Sequence, residues 1–323
     1  MASKRWSRPR PGQPLEWSLL ELADRAGLVG ESWRTGRVLL KVSAGLPLEP
    51  EELLTFQHHT GRERAPTAAP RELWEASGRR SAKTFRAALK GVYAACCRRY
   101  TVAPGERPTV LILAADREQA AVSFRYVRGI IDAIPELRTL VVRRRRDQLE
   151  LATGVDIHVA TSDYKLVRGR TCCTAICDEL AFWKSETSAS PDVEVLSALR
   201  PSLATIASAQ LVCCSTVYAR SGALYAAFES YWGKDDPHVL FWRATTREMN
   251  PNISQALIDR ELLEDPERAR AEWLAEWRAD VSSVFSVDAV RAVVVPGRRE
   301  LPPVAGVAYT GFCDPSGGSP VTG

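Results

Sequence analysis

Apolar runs of strand length alternate with amphipathic stretches of helix length through the middle of the chain. The apolar runs TVLILAAD, CCTAICDE, QLVCCST and HVLFWRAT predict strands, and RELWEAS predicts a more polar one. Helical periodicity is found in the helix from Lys83 to about Arg98 and in REQAAVSFRYVRGIIDAI, DVEVLSALRPSLATI and SGALYAAFESYW, while residues 139–162 resemble a hairpin series. This alternation predicts an α/β fold with a mostly parallel central sheet flanked by helices.

The two ends of the chain have different patterns from the middle. Residues 1 to about 14 are basic and proline-rich and are predicted to be disordered. Helical patterns such as PLEWSLLELADRAGLV and PEELLTFQHHTG follow, so residues 1–65 are predicted to form a tail and a helical cap. The helical patterns ISQALIDRELLE and PERARAEWLAEW end a core domain at 66–284, and the proline-containing stretch 285–305 is typical of a linker before the last segment, 306–323.

Composition and charge are those of an ordinary soluble globular protein. A length of 323 residues suggests about two domains, and 45% hydrophobic with 25% charged residues is usual for such chains. The net charge of +4 is too small to indicate DNA binding by itself. Because neither an apolar run of 18 residues nor a signal-peptide pattern occurs, we expect a cytoplasmic protein with no membrane contact.

The cysteines and histidines do not form a recognisable metal-binding pattern. None of the eight cysteines has CxxC spacing, and adjacent cysteines in a strand point to opposite faces. We therefore expect free thiols and no structural metal. The four histidines lack ligand spacing and are expected to be packed or at the surface: His58, His59, His158 and His238.

The stretch SGRRSAKT has the parts of a phosphate-binding loop. In such a loop, backbone N–H groups surround the phosphates, a lysine contacts the β and γ oxygens, and a hydroxyl binds Mg²⁺. The usual pattern, GxxxxGK[ST], has glycine where this chain has Ser77 and Ala82, and a Cβ makes positive φ angles costly. Reduced affinity or turnover is therefore an open alternative, and a basic helix start without a ligand would suit this motif alone. The predicted ATP-binding residues are Gly78, Ser81, Ala82, Lys83 and Thr84.

Two adjacent carboxylates end the apolar strand of TAICDELAFW, 95 residues after Lys83. A buried strand rarely ends in two acids without a cation to meet them. Together with the loop, the pair predicts that Asp178 binds Mg²⁺, directly or through water, and that Glu179 is the general base for the attacking water. The alternative is a helix N-cap followed by a surface acid.

The strand QLVCCST ends in a third polar group, formed by Cys214, Ser215 and Thr216. Ligands in open α/β sheets bind at the strand ends, and hydroxyl groups can bond to phosphate or to the attacking water. We therefore expect this trio to sense the γ-phosphate and to couple hydrolysis to movement. An ordinary transition from strand to loop is the alternative.

These segments together resemble the large terminase subunit of tailed bacteriophages, the motor that packages DNA into the capsid. The similarity spans most of the chain and is carried, in order, by GRRSAKT, VLILAADREQA, VRGRTCCTAICDELAFW, the CST strand end, ERARAEWLAEWRAD and FCDPSGG. It implies an ATPase that uses ATP and Mg²⁺ to translocate double-stranded DNA into a procapsid. It also implies a homo-oligomeric ring, portal-protein and small-terminase-subunit partners, and a location in the host bacterial cytoplasm and transiently at the procapsid portal.

The resemblance implies roles for residues outside these central motifs. Arg79 or Arg80 in the loop would reach the γ-phosphate within the same subunit, and Arg168 is the candidate arginine finger for a neighbouring subunit. A salt bridge or a solvated loop is an equal alternative for Arg168. Gln57 is the candidate adenine contact, although an exposed glutamine at a helix end is the alternative. The arginine run 143–146 is a DNA-binding patch or a charged hairpin tip.

The last segment resembles the start of a ribonuclease H-type nuclease domain. Asp314 matches the first metal-binding aspartate of such domains, for which Mg²⁺ or Mn²⁺ would be the ion. The sequence ends at Gly323, before the other carboxylates, so we expect the first strand of a truncated domain and no complete nuclease. Asp314 as a turn residue is the alternative. Two other functions remain open: a helicase-like phosphate-loop motor, and an inactive prophage-remnant module that binds nucleotide.

Overall fold

A computed structural model of the chain describes residues 12–162, 169–183, 191–278, 292–300 and 302–311. The chain divides into two compact units, Met1–Val281 and Ser282–Gly323. All the helices and strands named below belong to the first unit. None of the described helices is long and apolar enough to cross a membrane.

An eight-stranded sheet forms the centre of the first unit. Its strands are β1 (Glu72–Ser77), β2 (Thr109–Ala114), β3 (Val141–Arg144), β4 (Gln148–Leu151), β5 (Asp156–Thr161), β6 (Cys172–Asp178), β7 (Gln210–Ser215) and β8 (Val239–Ala244). They lie in the order β3-β4-β5-β2-β6-β7-β1-β8. The pairings from β5 across to β8 are parallel, whereas β4 is antiparallel to both β3 and β5. The predicted mostly parallel sheet and the hairpin series at one edge are both confirmed.

Helices cover the sheet and precede it in the chain. They are α1 (Leu19–Arg25), α2 (Arg34–Ser43), α3 (Pro50–Thr60), α4 (Lys83–Cys97), α5 (Arg117–Ala133), α6 (Pro135–Arg138), α7 (Pro191–Ser202), α8 (Gly222–Tyr231), α9 (Thr246–Met249), α10 (Gln255–Glu264) and α11 (Pro266–Leu274). The side chains of β2 and β6 are buried along their full length, which is why both strands are continuous apolar runs. The buried side chains of α1–α3 join the same hydrophobic core as the sheet.

Two features of the chain differ from their sequence patterns for identifiable reasons. The α2 helix was not singled out, because its first turn contains Thr35 and Gly36 and no side chain caps its N-terminus. The two acids that make β1 unusually polar both have cationic partners. Glu75 is buried against Arg86, and Glu72 accepts hydrogen bonds from Arg200.

The sheet order brings together the three polar strand ends predicted to carry chemistry. Strand β7 lies between β6 and β1, and all three are parallel, so their carboxyl ends meet at one edge. Cys214 is the register partner of both Asp178 on β6 and Glu75 on β1. The loop after β1, the acids at the end of β6 and the polar end of β7 are therefore neighbours.

Candidate active site

The loop between β1 and α4 has the backbone that its pattern requires, although its residues differ from the pattern. Ala82 adopts φ 63° and ψ 26°, and Arg80 also has a positive φ of 62°. A left-handed conformation costs a non-glycine residue roughly 1–2 kcal/mol, so Ala82 is under conformational strain where the pattern has glycine. Gly78 avoids a clash, because a Cβ there would lie 2.8 Å from the backbone nitrogen of Thr246.

A buried polar network supports the loop from the core side. The Ser77 hydroxyl donates to Glu75 Oε1 at 2.7 Å and lies 2.9 Å from the Ser81 hydroxyl. The Arg86 guanidinium donates to both the Ser81 carbonyl and the Glu75 carboxylate. Ser77, which replaces the first glycine of the pattern, thus has hydrogen-bond partners that a glycine would lack.

The outer side of the loop is held by the region that follows β8. Thr246 donates its hydroxyl to the Arg79 carbonyl at 2.7 Å, and the Asn250 amide donates to the Arg80 carbonyl at 3.0 Å. The Arg79 guanidinium is paired with Glu272 of α11 at 3.2 Å. Arg80 is exposed and has no ion pair in the described part of the chain, so it is the better placed of the two for the role within its own subunit, which stays a prediction.

Lys83 joins the three predicted motifs. Its ammonium donates to Thr216 Oγ1 at 2.7 Å and lies 3.1 Å from Glu179 Oε1. The other Glu179 oxygen accepts from the Thr216 backbone N–H at 3.1 Å and from the Ser215 hydroxyl at 3.3 Å. Lys83 is only 6% exposed, so these charged contacts are shielded from water.

Asp178 is fully buried among hydrogen-bond donors. Its Oδ1 accepts from the Thr84 hydroxyl at 3.2 Å and from the Cys214 thiol at 3.4 Å. Its Oδ2 accepts from the Gln119 amide and the Ser123 hydroxyl, both at 3.0 Å. Burial raises the pKa of Asp178, and the neighbouring Glu179 carboxylate raises it further, whereas the hydrogen bonds from Gln119 and Ser123 and the charge of Lys83 act in the opposite direction.

The sequence analysis missed Gln119 and Ser123. They are four residues apart on α5 and therefore share one face of that helix, which follows β2, the neighbour of β6 in the sheet. The signal available in the sequence was the segment VLILAADREQA, which carried part of the resemblance without a role for its glutamine.

The carboxylate pair is not a helix cap followed by a surface acid. Asp178 is the last residue of β6 and has 0% exposure. Glu179 adopts φ 52° and ψ 43°, and its side chain makes no capping hydrogen bond to the 3₁₀ turn that it precedes. This left-handed bend places the two carboxylates on different partners, Asp178 on Thr84 and Glu179 on Lys83.

The oxygen groups at the end of β6 fit a magnesium ion. Mg²⁺ prefers hard oxygen ligands such as carboxylates and hydroxyls and keeps several water ligands. The Thr84 hydroxyl and the Asp178 carboxylate are already within hydrogen-bonding distance of each other at the start of α4. The fit therefore rests on the same two residues that the motif predicted.

The predicted adenine contact lies at the end of α3. The Gln57 amide donates to the Glu63 carbonyl at 3.0 Å, and its adenine role stays a prediction. Beside it, His58 and His59 meet Glu248, with ligand atoms all within 4.8 Å of one another, a grouping that histidine spacing alone did not indicate. His59 is packed against Trp242 and bonded to the Arg243 carbonyl, while His58 is exposed and pairs with Glu248.

The remaining predicted residues have separate outcomes. Arg168 and Asp314 lie outside the described residues. The arginine run 143–146 lies at the β3–β4 hairpin, where Arg144 pairs with Asp132 at 2.6 Å and Arg145 with Glu150 at 2.9 Å. Its charged hairpin position is confirmed, and its role in DNA binding stays a prediction.

Similar folds occur among solved structures of bacteriophage proteins. The large terminase ATPase domain of Thermus phage P74-26 aligns over 74% of this chain and 97% of its own, with 18% identity and a TM-score of 0.51. The large terminase of bacteriophage HK97 aligns over 76% of this chain and 55% of its own, with 16% identity and a TM-score of 0.53. The large terminase of a thermophilic bacteriophage aligns over 80% and 57%, respectively, with 12% identity and a TM-score of 0.52.

No protein-family model matches the chain, and no curated protein matches it in sequence. The chain spans little more than half of the HK97 terminase and of the thermophilic-phage terminase, and nearly all of the P74-26 ATPase domain. At these low identities the likeness concerns the fold. The chain therefore has the α/β fold of phage large terminase ATPase domains, as its sequence motifs predicted.

Proposed function

We propose that this chain is the ATP-hydrolysing motor of a DNA-packaging large terminase subunit. The observation that carries the proposal is the convergence of Lys83, Thr84, Asp178, Glu179 and Thr216 at adjoining strand ends, linked by contacts of 2.7 to 3.2 Å. Each of these residue types has a separate task in phosphoryl transfer.

Nucleotide binding would use the loop and its lysine. Backbone N–H groups from Gly78 onward and the N-terminus of α4 would face the phosphates, since a helix N-terminus carries partial positive charge. Lys83 would contact the β and γ oxygens. When bound, Mg²⁺ offsets the negative charge of the phosphates, and Thr84 and Asp178 are the residues that would hold it.

Glu179 would accept the proton of the attacking water. Its carboxylate is oriented by the Thr216 N–H and the Ser215 hydroxyl, so it has a defined position before any substrate arrives. Lys83 now lies 3.1 Å from that carboxylate. Because a triphosphate would compete for the same ammonium group, its binding would release Glu179 to bond to water.

The end of β7 would transmit the state of the site. Thr216 contacts both Lys83 and Glu179, and Ser215 contacts Glu179. A change in the Lys83–Glu179 distance must therefore alter hydrogen bonds made by these two residues, which precede α8 in the chain. This contact supports the coupling role predicted for Ser215 and Thr216.

Double-stranded DNA would be the transported substrate, moved by a homo-oligomeric ring working with a portal protein and a small terminase subunit. Translocation that ignores sequence requires contacts to DNA phosphates rather than to bases. Binding should therefore weaken steeply as salt concentration rises, because phosphate contacts release counterions. DNA binding that does not change with salt would contradict this part of the proposal.

Steady-state ATP hydrolysis, with and without double-stranded DNA, tests the proposed activity. We expect Lys83→Ala and Glu179→Gln to lose turnover, with ATP binding lost mainly in Lys83→Ala. Lys234→Ala, which removes an exposed lysine far along the chain in a loop after α8, is the matched control and should keep full activity. Turnover in Glu179→Gln equal to the wild type would refute the assignment of the base.

The strained loop favours one alternative, an inactive module that binds nucleotide. Ala82 has a positive φ, and a loop that must pay this conformational cost binds its ligand less well than one with glycine. Wild-type protein that binds ATP but does not hydrolyse it, even with DNA and at concentrations that allow assembly, would support this alternative. Unwinding of strands would instead support a helicase.

A further inference from the structure

A second polar cavity lies at the opposite edge of the sheet from the candidate active site. Its volume is about 230 Å³. Its walls include Arg71 just before β1, Thr174 near the start of β6 and Gln210 at the start of β7. The α4 helix and the end of α2 close it with Lys90 and Ser43. Because the active site uses the carboxyl ends of these parallel strands, the two sites are separate.

The cavity is lined by positive charge without negative charge. Arg71, Lys90 and Arg98 line it, and no aspartate or glutamate does. Arg71 donates to main-chain carbonyl groups, including that of Leu203 at 3.4 Å. In the described part of the chain, neither Lys90 nor Arg98 has a carboxylate within 4.0 Å. Glu75, the carboxylate whose charge reaches Lys90, is already paired with Arg86.

Lys90 is buried and only partly hydrogen-bonded. It is 7% exposed, and its ammonium donates to the Ser43 hydroxyl at 2.8 Å. The hydroxyl in turn donates to the Leu40 carbonyl at 2.8 Å. An ammonium group has three donors, so two have no described acceptor. Burial, and then the charge of Arg98, lower the pKa of Lys90 to about 7, which shows how poorly its charge is compensated.

We propose that the cavity formed by Ser43, Lys90, Arg98 and Gln210 binds a small oxyanion, namely a phosphate group. A bound phosphate supplies both the missing negative charge and acceptors for the ammonium donors. The volume is below the roughly 300–1,000 Å³ of sites for drug-sized ligands, which favours inorganic phosphate or a compact phosphate ester over a nucleotide.

Bound phosphate should stabilise the fold, because the cavity joins α2 to α4. Ser43 is the last residue of α2, and Lys90 lies in the middle of α4. An anion held by both would hold the N-terminal helices against the core. A ligand that binds only the folded state raises the unfolding temperature in proportion to the logarithm of its concentration above Kd.

Thermal unfolding in sodium phosphate and in sodium chloride of equal ionic strength tests the proposal. The experiment uses the Lys83→Ala background, so that phosphate in the ATP-binding loop does not contribute. We expect phosphate to raise the unfolding temperature, and Lys83→Ala/Lys90→Met to lose this rise. Lys83→Ala/Lys41→Met should keep it, since Lys41 pairs with Glu52 and does not line the cavity.

Glycerol phosphate in the same assay separates the two sources of the ligand. A larger rise than with inorganic phosphate assigns a phosphate ester, and a larger rise with inorganic phosphate assigns the free ion. Equal unfolding temperatures in phosphate, glycerol phosphate and chloride would overturn the proposal, as would a full phosphate response in Lys83→Ala/Lys90→Met.

Calorimetry with sulfate gives a second readout that a purely structural effect would not produce. Sulfate does not titrate near pH 8, where Lys90 is largely neutral without a ligand. Of the groups that face Lys90, Arg71 and Arg98 stay charged, and the raised pKa of Tyr100 keeps it neutral. Binding should therefore take up a proton, measured as a dependence of the binding enthalpy on buffer. Binding without proton uptake would contradict the role of Lys90.

Discussion

Replacing Ala82 by glycine should stabilise the protein, although glycine usually destabilises a helix. Ala82 precedes α4 with φ 63° and ψ 26°. Relief of the left-handed conformation is worth roughly 1–2 kcal/mol. The greater freedom of glycine in the unfolded chain opposes this by roughly 0.4–1 kcal/mol. The expected net gain in the free energy of unfolding is therefore about 0.5–1 kcal/mol.

Urea unfolding of the ligand-free protein measures this gain. Ala226→Gly is the matched control, because Ala226 is exposed within α8 and is not among the residues with positive φ. Its replacement should cost about 1 kcal/mol from helix propensity alone. The two identical substitutions are thus expected to have opposite signs.

A loss of stability in Ala82→Gly comparable to that in Ala226→Gly would refute the reasoning. It would mean that Ala82 is not held in the left-handed region in solution. In the expected case, Ala82→Gly should also bind ATP at least as tightly as the wild type, because the strained backbone is the one that faces the phosphates. Fluorescent-nucleotide titration of both variants measures this affinity.

Three further predictions concern buried polar groups. Lys90→Met should remove a pH dependence: with a folded pKa of about 7 against 10.5, wild-type stability falls as pH decreases from 10.5 to 7 and is then constant, by up to about 5 kcal/mol. Urea unfolding in chloride buffers at pH 6 and pH 10 checks this, and an unchanged pH dependence would contradict it. Arg86→Met should cost about 3–5 kcal/mol by leaving the Glu75 carboxylate buried and unpaired. Adding Glu75→Gln should recover part of that cost in the same assay, whereas additive costs would exclude a coupled pair. Gln119→Leu should raise the pKa of Asp178 by removing a stabilising hydrogen bond, so the acidic limb of the ATPase pH profile should move to higher pH, with Ser123→Ala moving it in the same direction. An unshifted profile in both variants would separate these residues from the reaction.

The local pattern of residues was sufficient to predict the elements and the chemical groups at their ends. Buried parallel strands must be apolar along their length, so β2, β6 and β7 were visible as continuous runs. Lys83 and the pair Asp178 and Glu179 were visible because each is a polar departure from such a run or from a helix start. The backbone requirement at Ala82 was also predictable, because phosphate loops use a positive φ at this position.

The tertiary structure alone decided which of these groups meet and how they are held. The sequence does not encode locally that β7 lies between β6 and β1, and this order is what places Thr216 on both Lys83 and Glu179. The contacts of Asp178 with Gln119 and Ser123 join residues more than 50 positions apart.

The same limit applies to the loop itself. Its sequence offered Arg79 and Arg80 as equivalent candidates, and only the packing of α11 distinguishes them, by pairing Arg79 with Glu272. The acids of β1 looked unsuitable for a central strand until the fold supplied Arg86 and Arg200 as partners. Periodicity and propensity are properties of neighbouring residues, whereas ion pairs and hydrogen bonds between distant segments depend on the completed chain path.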